Sequence, residues 1–176
     1  MDAFLVWLQN LPPFLWVAES DSIWGYAFLL FVHAIGMGLT AGLALVISLR
    51  LLGVGNSIPV SSLRPLFGLF WIGFSLNLVS GSVLFATNAT GHAHVLMMYV
   101  KLLLLALGLV VTRRLRVFVD GSTSDGVVPS RVRTTAVVCI ALWLSVIVAG
   151  RMIAYAVESA GASLTPADPA PMASLR

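Results

Sequence analysis

The sequence predicts an all-α fold, a four-transmembrane-helix bundle with an N-terminal interfacial segment, and three observations carry that prediction. Of 176 residues, 59% are hydrophobic and only 10% are charged, against roughly 25% charged in an ordinary soluble domain. The mean hydropathy is +1.00. Residues 22–53, 65–87, 95–119 and 134–157 form four apolar runs, each long enough to meet the roughly 20 residues a bilayer-crossing helix needs. Runs of this length are too long for strands, and the short alternating segments of a membrane barrel are absent. A water-soluble globule, a coiled coil, a disordered chain and a nucleic-acid-binding module are excluded together. The isoelectric point near 9.6 reflects a net charge of only +3 spread over ten scattered basic residues. In a membrane chain that excess orients the helices and binds no polyanion. The single cysteine, Cys139, permits no internal disulfide and sits in an apolar run.

Taken in order, residues 1–21 are apolar but interrupted by Pro12 and Pro13, too short to span, and without a basic leader. Trp7, Trp16 and Trp24 suit the headgroup level, where indole rings accumulate, so this stretch is expected to lie in the interface. Residues 22–158 make up the membrane domain, its first run longer than a bilayer requires and therefore expected to tilt or project. Residues 159–176, rich in Ala, Pro and Ser, are expected to be disordered.

Arginines set the direction. Arg50 and Arg64 flank the first connection, and Arg113, Arg114, Arg116, Arg131 and Arg133 flank the third, on the same side of a four-span chain. The acids Asp2, Glu19, Asp21, Glu158 and Asp168 fall on the other side. The positive-inside bias then places both termini outside the cytoplasm of an inner membrane.

Titratable residues at membrane depth are costly and are functional candidates by default. The sequence offers His33, Lys101 and Arg151, at roughly 15, 10 and 10 Å from the outer end when counted at ~1.5 Å per residue. No aspartate or glutamate lies within any span, so a carboxylate relay is disfavoured and the two cations have no intramembrane counter-ion. They invite an anionic ligand such as haem propionates, a lipid phosphate or an acidic substrate. Snorkelling to the interface, or a local pairing of Arg151 with Glu158 across Tyr155, is the alternative. His33 is a candidate haem-iron ligand, with Gly36, Met37 and Thr40 on the same face where a flat group could approach. A histidine hydrogen-bonded to a neighbouring helix is the plainer reading. Gly73, Asn77, Ser80, Gly81 and Asn88 form a small, polar stripe on the second span that suits either close helix packing or a cavity wall holding a cofactor, Asn77 foremost.

Two further features complete the set. His92, His94, Met97 and Met98 at the start of the third span combine imidazole and thioether, which suits copper, Cu(I) especially; methionine is equally a gap-filler. Gly38 and Gly42 form a GxxxG pair that marks a close approach to another helix, within the bundle, in a membrane-protein partner or in a second copy. Zinc, iron–sulfur, P-loop, dinucleotide and catalytic-triad patterns are absent from the sequence.

The segments VHAIGMGLTAGLALVISLRLLG, SGSVLF, YVKLLLLALG and LWLSVIVAGRMIAY resemble a family of small bacterial four-helix integral membrane proteins of unassigned function, over roughly residues 24–155. A weaker likeness extends to the membrane protoporphyrinogen oxidases, which bind b-type haem, and to the copper-resistance D-type membrane domains. In the oxidases a histidine on an early helix and a lysine opening a later one are the functional pair, and His33 and Lys101 match them in kind and order. The resemblance implies a four-helix bundle and haem b, with His33 and Lys101 as the matching pair; Arg151 is a departure from the oxidase pattern, and the leading expectation sets Lys101 and Arg151 against propionates or substrate carboxylates. It leaves two alternatives beside a haem redox protein: copper handling, and a non-catalytic accessory subunit packing through Gly38 and Gly42.

Overall fold

The computed structural model describes residues 2–122 and 128–162, and it is helical throughout its length apart from short connections. Two short helices, α1 (Asp2–Gln9) and α2 (Pro12–Glu19), lead into α3 (Tyr26–Leu52). A 3₁₀ turn at Val60–Leu63 precedes α4 (Arg64–Thr87), then come α5 (Ala89–Ala93), α6 (Leu96–Gly121) and α7 (Ser130–Ala162). Four stretches, Tyr26–Leu52, Val60–Thr87, Leu96–Gly121 and Ser130–Ala156, are long and apolar enough to cross a membrane. Their outer faces remain apolar: Phe31, Val79, Leu103 and Val148 are each at least 60% exposed, which suits lipid and not water.

Local chemistry accounts for the boundaries. Pro12 and Pro65 sit in the first turns of α2 and α4, where a missing N–H costs nothing. Gly53 ends α3 at φ +113, its N–H bonding Arg50 O while the N–H of Val54 bonds Leu49 O, a left-handed closure that favours glycine. The first span begins at Tyr26 and not at Ser22, because Ser22–Gly25 forms a turn closed by Gly25 N–H to Ser22 O at 2.9 Å. At the other extreme α7 continues to Ala162, into the segment expected to be a disordered tail; the rest of that tail, residues 163–176, lies outside the described residues. The connection 88–94 is not a plain loop. Asn88 caps α5, its side chain accepting from Gly91 N–H at 3.2 Å.

Round the bundle the order is α4–α3–α7–α6, with α3 packed along both α4 and α7, and α7 along α6. The ring does not close evenly. α4 and α6 meet at the arginine-rich end, where Arg64 donates to the carbonyls of Asp120 and Ser122 at 3.1 and 2.9 Å, and they diverge toward the other end. The packed core sits accordingly in the arginine half, around Phe67, Phe70, Leu115 and Trp143. Trp143 meets Phe70 edge to face at 5.6 Å, donates from Nε1 to Thr112 Oγ1 at 3.0 Å, and lies over Gly108, where an added Cβ would be 3.3 Å from the indole. Helices in lipid associate by such close contacts more than by apolar burial. The half nearer the N-terminus is hollow, and α1 and α2 lie across it against α4 and α5.

Candidate functional site

The hollow is a two-lobed cavity. One lobe, about 580 Å³, is bounded by α4, α6 and the short α1 and α2, with Phe14, Phe74, Leu78 and Leu102 among its walls. The other, about 450 Å³, is bordered by Tyr26, Thr87, Asn88 and His92, nearer the end of the bundle. Both volumes fall within the ~300–1,000 Å³ of ligand pockets. His33, Gly81, Phe85, Met98 and Lys101 line both lobes.

His33 owes its place to the small residues of α3 and α4. A Cβ at Gly36 would lie 2.6 Å from the backbone nitrogen of Asn77, and one at Gly73 would lie 2.5 Å from Leu39 Cβ. The two backbones therefore touch at this crossing. One turn nearer the hollow, Asn77 Nδ2 donates to His33 O at 3.1 Å, and His33 Nδ1 lies 3.0 Å from Ser80 Oγ. The Ser80 hydroxyl proton is already given to Leu76 O at 2.6 Å. Its oxygen is then free to accept from Nδ1–H, and in that tautomer Nε2 of a neutral imidazole carries the lone pair. Nε2 has no hydrogen-bond partner among the described residues. Gly81 leaves room for the ring: an added Cβ would stand 3.0 Å from His33 Cε1.

Lys101 reaches the same place from α6. Its Nζ would be 3.6 Å from a Cβ at Gly150, so the ammonium passes beside the bare backbone of α7. Among the described residues no carboxylate lines either lobe, and Lys101 makes no ion pair. With α3 starting at Tyr26, His33 lies about 10 Å into its helix and Lys101 about 8 Å into its own, closer in depth than the sequence count suggests.

Other candidates are placed elsewhere. Arg151 is exposed and lines neither lobe; its Nη2 donates to Tyr155 Oη at 3.1 Å and its guanidinium lies 5.1 Å from that ring's centroid. It is not brought to His33 and Lys101, because its rotation on α7 turns it outward. The face of Gly36 and Thr40, expected to admit a flat group, is filled by α4, and Met37 instead lines a separate groove between α3 and α7. The copper set is likewise divided. His94 ends α5 and does not share a face with α6; its Nε2 lies 3.6 Å from Asp2 Oδ1. Met97 lines neither lobe, whereas His92 and Met98 do line the cavity. Among the described residues no group of three or more His, Cys, Asp or Glu is placed to hold a metal ion. Gly38 and Gly42 touch nothing within 4 Å at their Cβ positions, so the close approach within the bundle is at Gly36 and Gly73. Sequence reasoning did not single out Ser80 as the partner of His33 or Gly81 as its seat, although both stand in the small, polar stripe of α4.

Comparison with family profiles, curated proteins and solved structures gives no match. The site therefore has to be read from its own chemistry.

Proposed function

We propose that this integral membrane protein binds a b-type haem in the hollow half of the bundle and acts in electron transfer. His33 would hold the iron, and Lys101 would pair with the propionates. The observation that carries the reading is the placing of His33: its Nδ1 lies 3.0 Å from Ser80 Oγ, whose own proton is directed to Leu76 O, and its Nε2 has no hydrogen-bond partner among the described residues. Metal-ligating histidines characteristically donate their other ring N–H in this way, which fixes the tautomer and raises ligand basicity. Two further features support it. The lobes are mostly apolar, as a porphyrin requires, and Lys101, which lines both, has no counter-ion among the described residues for a carboxylate to displace. Asn77 holds the crossing that positions His33, and Arg151 has no part in the site. When bound, the haem supplies a one-electron couple; the chain orients it, excludes water from it and neutralises its carboxylates. The arginine distribution supports an inner-membrane topology with both termini extracytoplasmic, which reporter fusions at the two ends would test.

The decisive experiment is an optical spectrum of detergent-purified protein from haem-supplied cells, air-oxidised and then dithionite-reduced, with a metal assay on the same sample. A Soret band with reduced α and β bands, lost in His33→Ala, is the expected result. A featureless spectrum overturns the reading, and stoichiometric copper in its place would redirect it to metal handling at His92 and Met98.

A further inference from the structure

The residues shared by the two lobes limit what can stand opposite His33. Five line both, and of these only His33, Met98 and Lys101 carry donor atoms. A protonated ammonium has no lone pair to offer a metal, and its charge is the feature that suits the propionates. Gly81 and Phe85 offer no ligand atom. That leaves the thioether of Met98, on the first turn of α6, while His33 comes from α3. These two helices do not pack along one another; α4 and α7 separate them, so the two side chains approach the hollow from different walls. Other donors border one lobe or neither. Met97 lines neither lobe, and His92 borders only the smaller lobe, its Nδ1 2.7 Å from Asn88 O and its ring 6.1 Å from that of Phe85.

Resting on the haem reading above, we infer that Met98 is the second axial ligand, so that the iron is held by one imidazole and one thioether. A thioether stabilises ferrous iron relative to a second imidazole and raises the reduction potential. It also closes the sixth position, which favours electron transfer over binding of exogenous ligands. The lone methionine-to-copper role does not require Met98 to share both lobes with His33; this one does.

The test uses full-length protein in detergent, comparing wild type, Met98→Leu and His92→Ala by absorption and electron paramagnetic resonance. Leucine conserves volume and apolarity, so haem stoichiometry should be kept. Expected are a low-spin ferric wild type with a weak long-wavelength sulfur-to-iron charge-transfer band, and a Met98→Leu variant that turns high-spin. That variant should lose the band, fall in potential and bind carbon monoxide when reduced, while His92→Ala matches wild type. Should Met98→Leu fail to fold, Met98→His provides the second arm, expected to stay low-spin without the charge-transfer band and at a lower potential. A low-spin spectrum unchanged in Met98→Leu, a wild type already high-spin, or a spin change confined to His92→Ala each overturns the assignment while leaving haem binding standing. A wild type without any Soret band removes the haem reading itself, and this inference with it.

Discussion

Replacing Gly36 by alanine tests the geometry on which the site depends. A methyl there would stand 2.6 Å from Asn77 N and 3.0 Å from Asn77 Cα and Gly73 O, where ordinary contact begins at 3.4 Å. All three atoms belong to helix backbone, which cannot rotate away, so α3 and α4 must separate by about 0.8 Å, the shortfall at the closest of them. Overpacking of this kind costs about 1–3 kcal/mol. The separation also stretches the Asn77–His33 and His33–Ser80 bonds, at 3.1 and 3.0 Å, past useful length, a further ~0.6–1 kcal/mol each. The expected loss is about 2–5 kcal/mol, and at ~2–4 °C per kcal/mol for a chain of this size the Tm falls on the order of 4–20 °C. The assay is thermal unfolding of detergent-solubilised protein by circular dichroism, with Gly38→Ala as control. Nothing lies within 4 Å of that Cβ, so the control should match wild type or gain up to ~1 kcal/mol from helix propensity. Equal melting of the Gly36 and Gly38 variants would refute the backbone contact and, with it, the placement of His33.

Three other perturbations have distinct outcomes. Lys101→Met removes a half-buried cation that has no acidic partner among the described residues, and should raise unliganded stability by about 1–2 kcal/mol while lowering haem occupancy; parallel melting and haem titration separate the two effects. Trp143→Phe keeps the edge-to-face contact with Phe70 but removes the 3.0 Å bond to Thr112 Oγ1, for a loss of about 1–2 kcal/mol with no change in the haem spectrum. Arg64→Ala strips the two hydrogen bonds to the carbonyls of Asp120 and Ser122 at the end of α6, worth about 1 kcal/mol together. Amide exchange should quicken at that end of α6 and stay slow around Trp143.

The four spans are legible because length and hydropathy suffice to recognise a helix that must satisfy its own backbone in lipid. Their ends are less so: the Ser22–Gly25 turn is apolar enough to pass for helix, and α5 is too short and polar to show a period, its one signal being Asn88 at the cap. The match in depth of His33 and Lys101 could be counted from the sequence, since rise per residue is constant. Rotation could not. A helix apolar on every side carries no record of which face meets its neighbours, so Arg151 could be placed at the right depth while its outward direction stayed hidden. The glycines make the same point. Gly38 and Gly42 match the motif for close approach, yet the contact forms at Gly36, because on α4 another glycine, Gly73, stands opposite.

A bundle packed at one end and parted at the other divides two tasks along its length. The Phe70–Trp143 contact and the Arg64 bonds to α6 tie the arginine half together. Beyond Phe70, α4 parts from α6 but stays clamped to α3 by the Gly36–Gly73 crossing and by the bonds of Asn77 and Ser80 to His33. The wall that carries the histidine is therefore stiff although the space in front of it is open. A guest entering the hollow meets an imidazole already aimed, and the cost of ordering that side chain falls on folding and not on binding.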